Sequence, residues 1–119
     1  MSDPSTPQYV YRLASAAEWR VAETTGIVPK REIDLKDGYV HLSTKEQVLE
    51  TARLHFKGAE DLLALEIPLA PIAVDVRFEL APKRGESFPH LYRELRRADV
   101  TAVVTLLRDG DEFGFGARQ

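Results

Sequence analysis

What most constrains this chain is an uneven order of periodicities. Strand and helix patterns alternate in its first half, and strand patterns alone fill its second. Residues 9–13 read as a strand, with Tyr9, Tyr11 and Leu13 on one face and Val10 and Arg12 on the other. Ser15 and Glu18 then stand at capping-box spacing, where hydroxyl and carboxylate satisfy each other's free backbone N–H groups. Ala16, Trp19 and Ala22 fall along one side of the helix they open, and Gly26 and Pro29 end it. Residues 27–37 read as a polar connection. Residues 39–43 alternate again, with Tyr39, His41 and Ser43 on one face and Val40 and Leu42 on the other. A second helix follows with cap spacing from Ser43 to Glu46. Val48, Leu49, Ala52 and Phe56 form its apolar stripe, and Gly58 stops it.

From there the patterns are extended. Residues 62–67 carry few polar positions and read as a central strand. Residues 74–79 alternate, with Val74, Val76 and Phe78 inward and Asp75, Arg77 and Glu79 outward. A loop over residues 80–87 leads to a short extended piece at 88–92, and residues 100–107 read as another central strand. The order predicts an α+β fold with two helices in the N-terminal half and strands clustered late. The expected boundaries are a mobile arm over 1–8, a single domain over 9–107 and a loose, Gly-rich tail over 108–119.

A length of 119 residues fits one such domain, large enough to fold without covalent staples. Cysteine is absent, which excludes disulfides, a thiolate nucleophile and a cysteine–zinc site, and fits a cytoplasmic setting. No apolar run approaches the roughly 18 residues of a membrane span, and the first seven residues are polar, so neither a span nor a secretory signal is expected. A net charge of −3 lacks the basic excess of a general nucleic-acid binder. Lys83, Arg84, Arg93, Arg96 and Arg97 make a local basic stretch, readable as solvated surface or as a phosphate contact for a small ligand.

Two segments concentrate side chains that can do chemistry. His41 and Ser43 project from one face of a strand that ends at a helix N-terminus. There imidazole, the Ser43 and Thr44 hydroxyls and free amides can hold an anion. In the second segment, Pro89 fixes its own φ and restricts Phe88, so His90 and Tyr92 face one way beside an aromatic ring. Arg12 can grip a phosphate bidentately. Glu66, Glu79 and Glu86 are candidates for stabilising a developing cation or acting as a base. The spacing of His41, His55 and His90 matches no metal motif, and His55 reads as structural. Each of these residues also has an ordinary structural use: a helix cap for Ser43, a satisfied histidine at 41 and 90, a surface ion pair for Arg12 and the glutamates.

The sequence resembles a known family in its details. An aromatic first strand, a tryptophan in the first helix, Gly38-Tyr39-Val40-His41-Leu42-Ser43-Thr44, the run from Asp61 to Ile67, Arg77-Phe78-Glu79 and Gly85-Glu86-Ser87-Phe88-Pro89-His90-Leu91-Tyr92 together look like domain-of-unknown-function family 952, over roughly residues 9–107. That family brings no established activity. A more distant likeness is to the catalytic half of RNA 2′-phosphotransferases, which have a Tyr-His-Gly-Thr strand, a tryptophan-bearing helix and a His-Val-His-Leu-Ser strand. Here Tyr11-Arg12-Leu13-Ala14 and Tyr39-Val40-His41-Leu42-Ser43 stand in the first and last places. This similarity implies an ADP-ribosyltransferase-like split β-sheet that binds NAD in a cleft, with His41 and Ser43 lining it and residues 88–92 as the opposite wall. Chemistry at a ribose C1′ needs a nearby carboxylate, and for it we assign Glu86 or Glu79 to charge stabilisation, His41 and Ser43 to ribose or phosphate binding, His90 to acid–base or orienting work, and Tyr92 to stacking or hydrogen bonding. Arg12 replaces the transferases' first-strand histidine, and Leu13-Ala14 replaces their Gly-Thr.

Three readings stay open on sequence. The first is an ADP-ribosyltransferase-like domain that binds NAD or a related nucleotide and transfers or cleaves ADP-ribose. The second is a nucleotide- or metabolite-binding module without turnover. The third is a small protein-binding accessory domain whose histidines are structural.

Overall fold

The computed structural model describes residues 6–119. Residues 1–5 of the expected N-terminal arm lie outside the described part. The chain enters through β1 (Tyr9–Ser15), whose two faces are both buried, so its apolar residues do not alternate with polar ones. Val10 and Ala14 belong to one core cluster, with Trp19 and Ala22 of α1 (Ala16–Thr25), while Tyr11 and Leu13 belong to another. The Ser15–Glu18 capping box forms, with Glu18 N donating to Ser15 Oγ at 3.1 Å and Ser15 N to Glu18 Oε1 at 2.8 Å. Gly26 ends α1 at φ +83°, a left-handed conformation that glycine adopts without a Cβ clash.

The segment read as a polar connection contains α2 (Glu32–Asp37). Periodicity misses this helix because it buries no apolar stripe: Ile33 and Leu35 are exposed, and its one buried residue is Asp34. β2 (Val40–His41) follows, much shorter than the alternation suggested. The chain leaves β2 at Leu42, and Ser43 bridges to Tyr11 of β1 instead. The next helix, α3 (Lys45–His55), is capped one residue later than expected: Thr44 N donates to Gln47 Oε1 at 3.0 Å. Its predicted stripe packs as read, with Val48 and Ala52 buried and Leu49 and Phe56 at the cluster's edge.

β3 (Leu62–Pro68), β4 (Val76–Ala81), β5 (Glu86–Leu91), β6 (Ala102–Asp109) and β7 (Glu112–Arg118) complete the fold. They make two antiparallel sheets, ordered β1-β3-β6-β7 and β2-β5-β4. Both strands read as central, β3 and β6, are central. Val74, expected inward, is 91 % exposed, because residues 70–75 form a 3₁₀ turn and β4 begins only at Val76. The supposed loop over 80–87 is a hairpin with a turn only at residues 82–85. The tail expected to be loose is instead an edge strand, β7, paired along β6 and packing Phe113 into the second core cluster. Its glycines obscured it, since Gly is depleted in strands.

That strand carries a β-bulge. Leu106 pairs with Phe115, but Val104 pairs with Arg118, one residue out of step. The extra residue restores Arg118 to the face that carries Phe115. Gly116 makes this possible, since a Cβ there would meet the Thr105 carbonyl oxygen at 2.9 Å. The α+β class is therefore as the sequence predicts, and the described residues hold three α-helices rather than two and a seventh strand in place of a tail.

Candidate functional site

Arg12 is where sequence expectation and structure part most sharply. It was a candidate phosphate grip. It is 2 % exposed, with Nη1 donating to Asp34 Oδ1 at 3.0 Å and to the His41 carbonyl at 3.0 Å, and Nη2 to Asp34 Oδ2 at 2.5 Å. A buried guanidinium in a strand needs a carboxylate partner, and α2 supplies one. Asp34 also accepts from Arg31 N at 2.7 Å, His41 N at 3.0 Å and His41 Nδ1 at 2.7 Å. Burial disfavours its charged form, but the His41 and Arg12 hydrogen bonds and the Arg12 charge outweigh that and hold the carboxyl well below the usual range. Both terminal nitrogens of Arg12 are engaged, and the fork is too deeply buried to meet a phosphate.

The Arg12–Asp34 fork positions His41. Its Nδ1 meets Asp34, and its Nε2 lies 2.9 Å from Asp37 Oδ2, so in the doubly protonated form both nitrogens donate to carboxylates. The β2–β5 register sets His41 directly opposite His90, with ring centroids 5.7 Å apart. Tyr39 bridges them, 4.6 Å from the His41 ring and edge-on to His90 at 3.9 Å, and it stacks on Tyr92 at 5.4 Å. His90 Nδ1 lies 2.8 Å from Glu79 Oε1, which also accepts from the Tyr92 hydroxyl at 2.6 Å. The Tyr92 and His90 contacts lower the Glu79 pKa, and the same Glu79 bond raises that of Tyr92. His90 is itself buried, at 7 % exposure, and among the described residues its Nε2 has no hydrogen-bond partner. This is the geometry of a carboxylate-oriented imidazole with one nitrogen left unpartnered. Arg77, opposite His90 on β4, lays its guanidinium 4.9 Å from the Tyr92 ring centroid and makes no ion pair among the described residues.

The remaining candidates lie elsewhere. Ser43, expected on the His41 face, is buried beside α3, its hydroxyl donating to Thr51 at 3.3 Å, because β2 ends before it and it turns to pair with β1. Glu86 accepts from Gln47 Nε2 at 2.9 Å, which ties the start of β5 to α3 rather than to the histidines. Phe88 lies beneath Arg84, whose guanidinium is 4.5 Å from its ring while Nη1 donates to Thr51 at 3.0 Å. Arg93 is engaged by Asp75 and Asp99, and Arg97 stacks over Trp19 at 5.0 Å, so this part of the basic stretch is structural. His55 is exposed at the end of α3.

Thr44 and Glu66 fall into a second region, a cleft of about 850 Å³ between the two sheets. Tyr9 and Tyr11 of β1, Lys45 of α3, Phe78 of β4, Ser87 of β5 and Phe115 and Arg118 of β7 also line it. His41, His90, Tyr39 and Tyr92 do not. Phe78 alternates with Arg77 and Glu79 along β4, so the histidine cluster occupies the other face of that sheet. Residues 88–92 are thus a neighbour of His41 on a paired strand and not a wall facing it across a cleft. Sequence reasoning missed Asp34, Asp37 and Arg77 at the cluster. A single signal pointed toward Asp34, an arginine set into an apolar strand.

Fold and site together define a class: an α+β domain of two antiparallel sheets, with paired histidines on adjacent strands, each held by a carboxylate from another element. The chain belongs to the family described as protein of unknown function (DUF952), whose model matches residues 13–103, a span that includes both histidines and stops short of β7. Among solved structures it is similar to protein CC0527 from Caulobacter crescentus, at 37 % identity and a TM-score of 0.80, covering 88 % of this chain and 91 % of that one in the crystal form. The solution NMR structure of the same protein gives 37 % identity and a TM-score of 0.77, covering 89 % and 90 %. No curated protein matches the chain. No helix among the described residues is long and apolar enough to cross a membrane.

Proposed function

We propose that this chain is an ADP-ribosyltransferase-like domain that binds NAD or a related nucleotide at the Tyr39–His41–His90–Tyr92 face and cleaves or transfers ADP-ribose there. The observation that carries the reading is the Glu79–His90 pair, an oriented imidazole with an unpartnered Nε2, set among aromatic rings beside the cation Arg77. The division of the strands into two sheets supports it, because a split sheet is what the likeness to RNA 2′-phosphotransferases implies. The Tyr92 ring, stacked on Tyr39 and covered by Arg77, offers a base or nicotinamide an exposed apolar edge, and Arg77 offers a phosphate a planar donor fork. In the reaction the C1′–nitrogen bond breaks through an oxocarbenium-like state, and the bonding pair leaves with nicotinamide. Water or an acceptor hydroxyl attacks C1′ and gives its proton to His90 Nε2, and Glu79 stabilises the imidazolium that results.

A second reading, binding without turnover, draws on Arg12. The residue in the transferases' histidine position is locked onto Asp34 and out of reach of a ligand. A ¹H–¹⁵N titration with NAD, run beside an assay for released nicotinamide, separates the two. Saturable shifts at Tyr39, His41, His90 and Tyr92 with release that His90→Ala abolishes support the enzyme. The same shifts without release leave the binding module. No shifts at millimolar NAD sink both.

A further inference from the structure

The cleft between the sheets is built from different residues than the histidine face and carries a different chemistry. Three half-exposed rings, Tyr9, Phe78 and Phe115, stand around it, with Tyr11 buried at its base. Exposed apolar rings clustered in a concavity are the usual sign of a ligand site. Glu66 sits at the base too, 5 % exposed, accepting from Tyr11 Oη at 3.2 Å and from Arg118 Nε at 3.2 Å and Nη2 at 2.7 Å. The Arg118 hydrogen bond, above all, lowers the Glu66 pKa, so the carboxylate stays charged and keeps orienting that guanidinium. Burial and the Glu66 charge push the Tyr11 phenol up to about 12, so it remains a donor.

A guanidinium has five N–H donors, and this pair uses two of them. The Arg118 side chain is 59 % exposed, so its remaining edge is open. The β-bulge at Gly116 turns Arg118 toward this face, and Glu66 then fixes its fork. Lys45 adds a second cation at the cleft wall, and its charge is felt at Glu66. The Thr44 and Ser87 side chains also line the space.

We infer that the cleft is a second ligand site, which takes a small aromatic anion of the aryl-phosphate or mononucleotide type. The ring would sit among Tyr9, Phe78 and Phe115, and the anion would meet the open edge of Arg118 together with Lys45. The inference is independent of the reading given to the histidine face, and the residues that report each site do not overlap.

The test is a ¹H–¹⁵N titration of the full chain with phenyl phosphate, with adenosine monophosphate, and with benzylamine as the cationic control. Saturable shifts at Lys45, Phe78, Phe115 and Arg118 with either phosphate are expected. Tighter binding of adenosine monophosphate would identify a nucleotide as the source, and equal binding an aryl phosphate. Arg118→Ala and Lys45→Ala should each weaken binding by about tenfold, the scale of one charge-assisted hydrogen bond. Arg118→Lys should recover only part of the loss, because the fork is gone. Shifts that persist unaltered in both alanine variants, preference for benzylamine, or no cleft shifts at millimolar probe would overturn the inference. Shifts at His41 and His90 alone would overturn it while leaving the histidine-face reading intact.

Discussion

Two arginine–carboxylate forks in this molecule are nearly the same chemical object, yet they differ in what they leave open. Arg12 and Asp34 are both buried, and Asp34 is further occupied by Arg31 and His41, so the pair is closed on itself. Arg118 and Glu66 pair a buried carboxylate with an exposed guanidinium at the wall of a cleft. A closed fork in a dry site contributes to stability only while both partners stand, since either charge alone is costly there. An open fork adds little stability and keeps donors available. The difference separates an arginine that builds the fold from one that can meet a ligand.

The comparison predicts its own largest break. Asp34→Asn should destabilise the protein by about 3–5 kcal/mol in urea denaturation, because it leaves Arg12 buried without its counter-charge. Arg12→Lys should lose nearly as much, since an ammonium cannot reproduce the two-point contact. The same variants should displace His41, whose backbone and ring both lean on Asp34. A loss below about 1 kcal/mol would put this fork in the same class as the open one.

Acid is the next lever. The folded-state pKa of Asp34 lies well below its unfolded value, so its contribution is complete above the unfolded value and fades as pH falls beneath it. Stability of the wild type should therefore decline below roughly pH 4, by up to about 1.4 kcal/mol per pH unit for this group alone. Asp34→Asn should show a flatter acid limb. Parallel limbs in the two proteins would mean that other carboxylates carry the acid response.

These effects bear on what the sequence could disclose. The core faces of α1 and α3 were legible because each buries an apolar stripe at helical spacing. The histidine motifs were legible because imidazoles are rare and were set in alternating or Pro-restrained segments, and His41 and His90 do meet. Asp34 was not, since a six-residue helix that buries only a carboxylate has no apolar signal. The grouping of Ser43 with His41 failed because β2 ends between them, a change of pairing partner that alternation cannot reveal. The cleft was invisible for another reason. Its rings and charges come from β1, β3, β4, β7 and the start of α3, and they converge only through sheet topology. Arg118 was the hardest case: the glycine that admits the bulge is also what made the strand look like a loose tail.

That glycine gives an intermediate effect. Gly116→Ala forces a methyl to within 2.9 Å of the Thr105 carbonyl, so β6 and β7 must part slightly. A cost of about 1–3 kcal/mol is expected, typical of overpacking. The amide shifts should concentrate at residues 104–107 and 115–118, and the Arg118–Glu66 contact should loosen. A neutral outcome would show that the bulge has room to adjust and does not fix where Arg118 points.

The smallest expected effect bears hardest on the comparison. Arg118→Ala removes the same functional group as Arg12→Ala, but from the open fork. Its side chain is more than half exposed, so solvent already screens the pair, and stability should change by no more than about 0.5–1 kcal/mol. Glu66 then keeps the Tyr11 hydroxyl and gains access to water, so no charge is stranded without solvation. The Tyr11 phenol should remain shifted upward, because burial and Glu66, its leading causes, both persist. Tyrosinate absorbance on the alkaline side measures this directly. Small thermal change, a Tyr11 still titrating above the ordinary range and weakened phosphate binding would together make Arg118 a ligand group. A loss matching that of Asp34→Asn would make β7 a structural clasp that closes the sheet over Glu66, and the two forks would then be one device used twice.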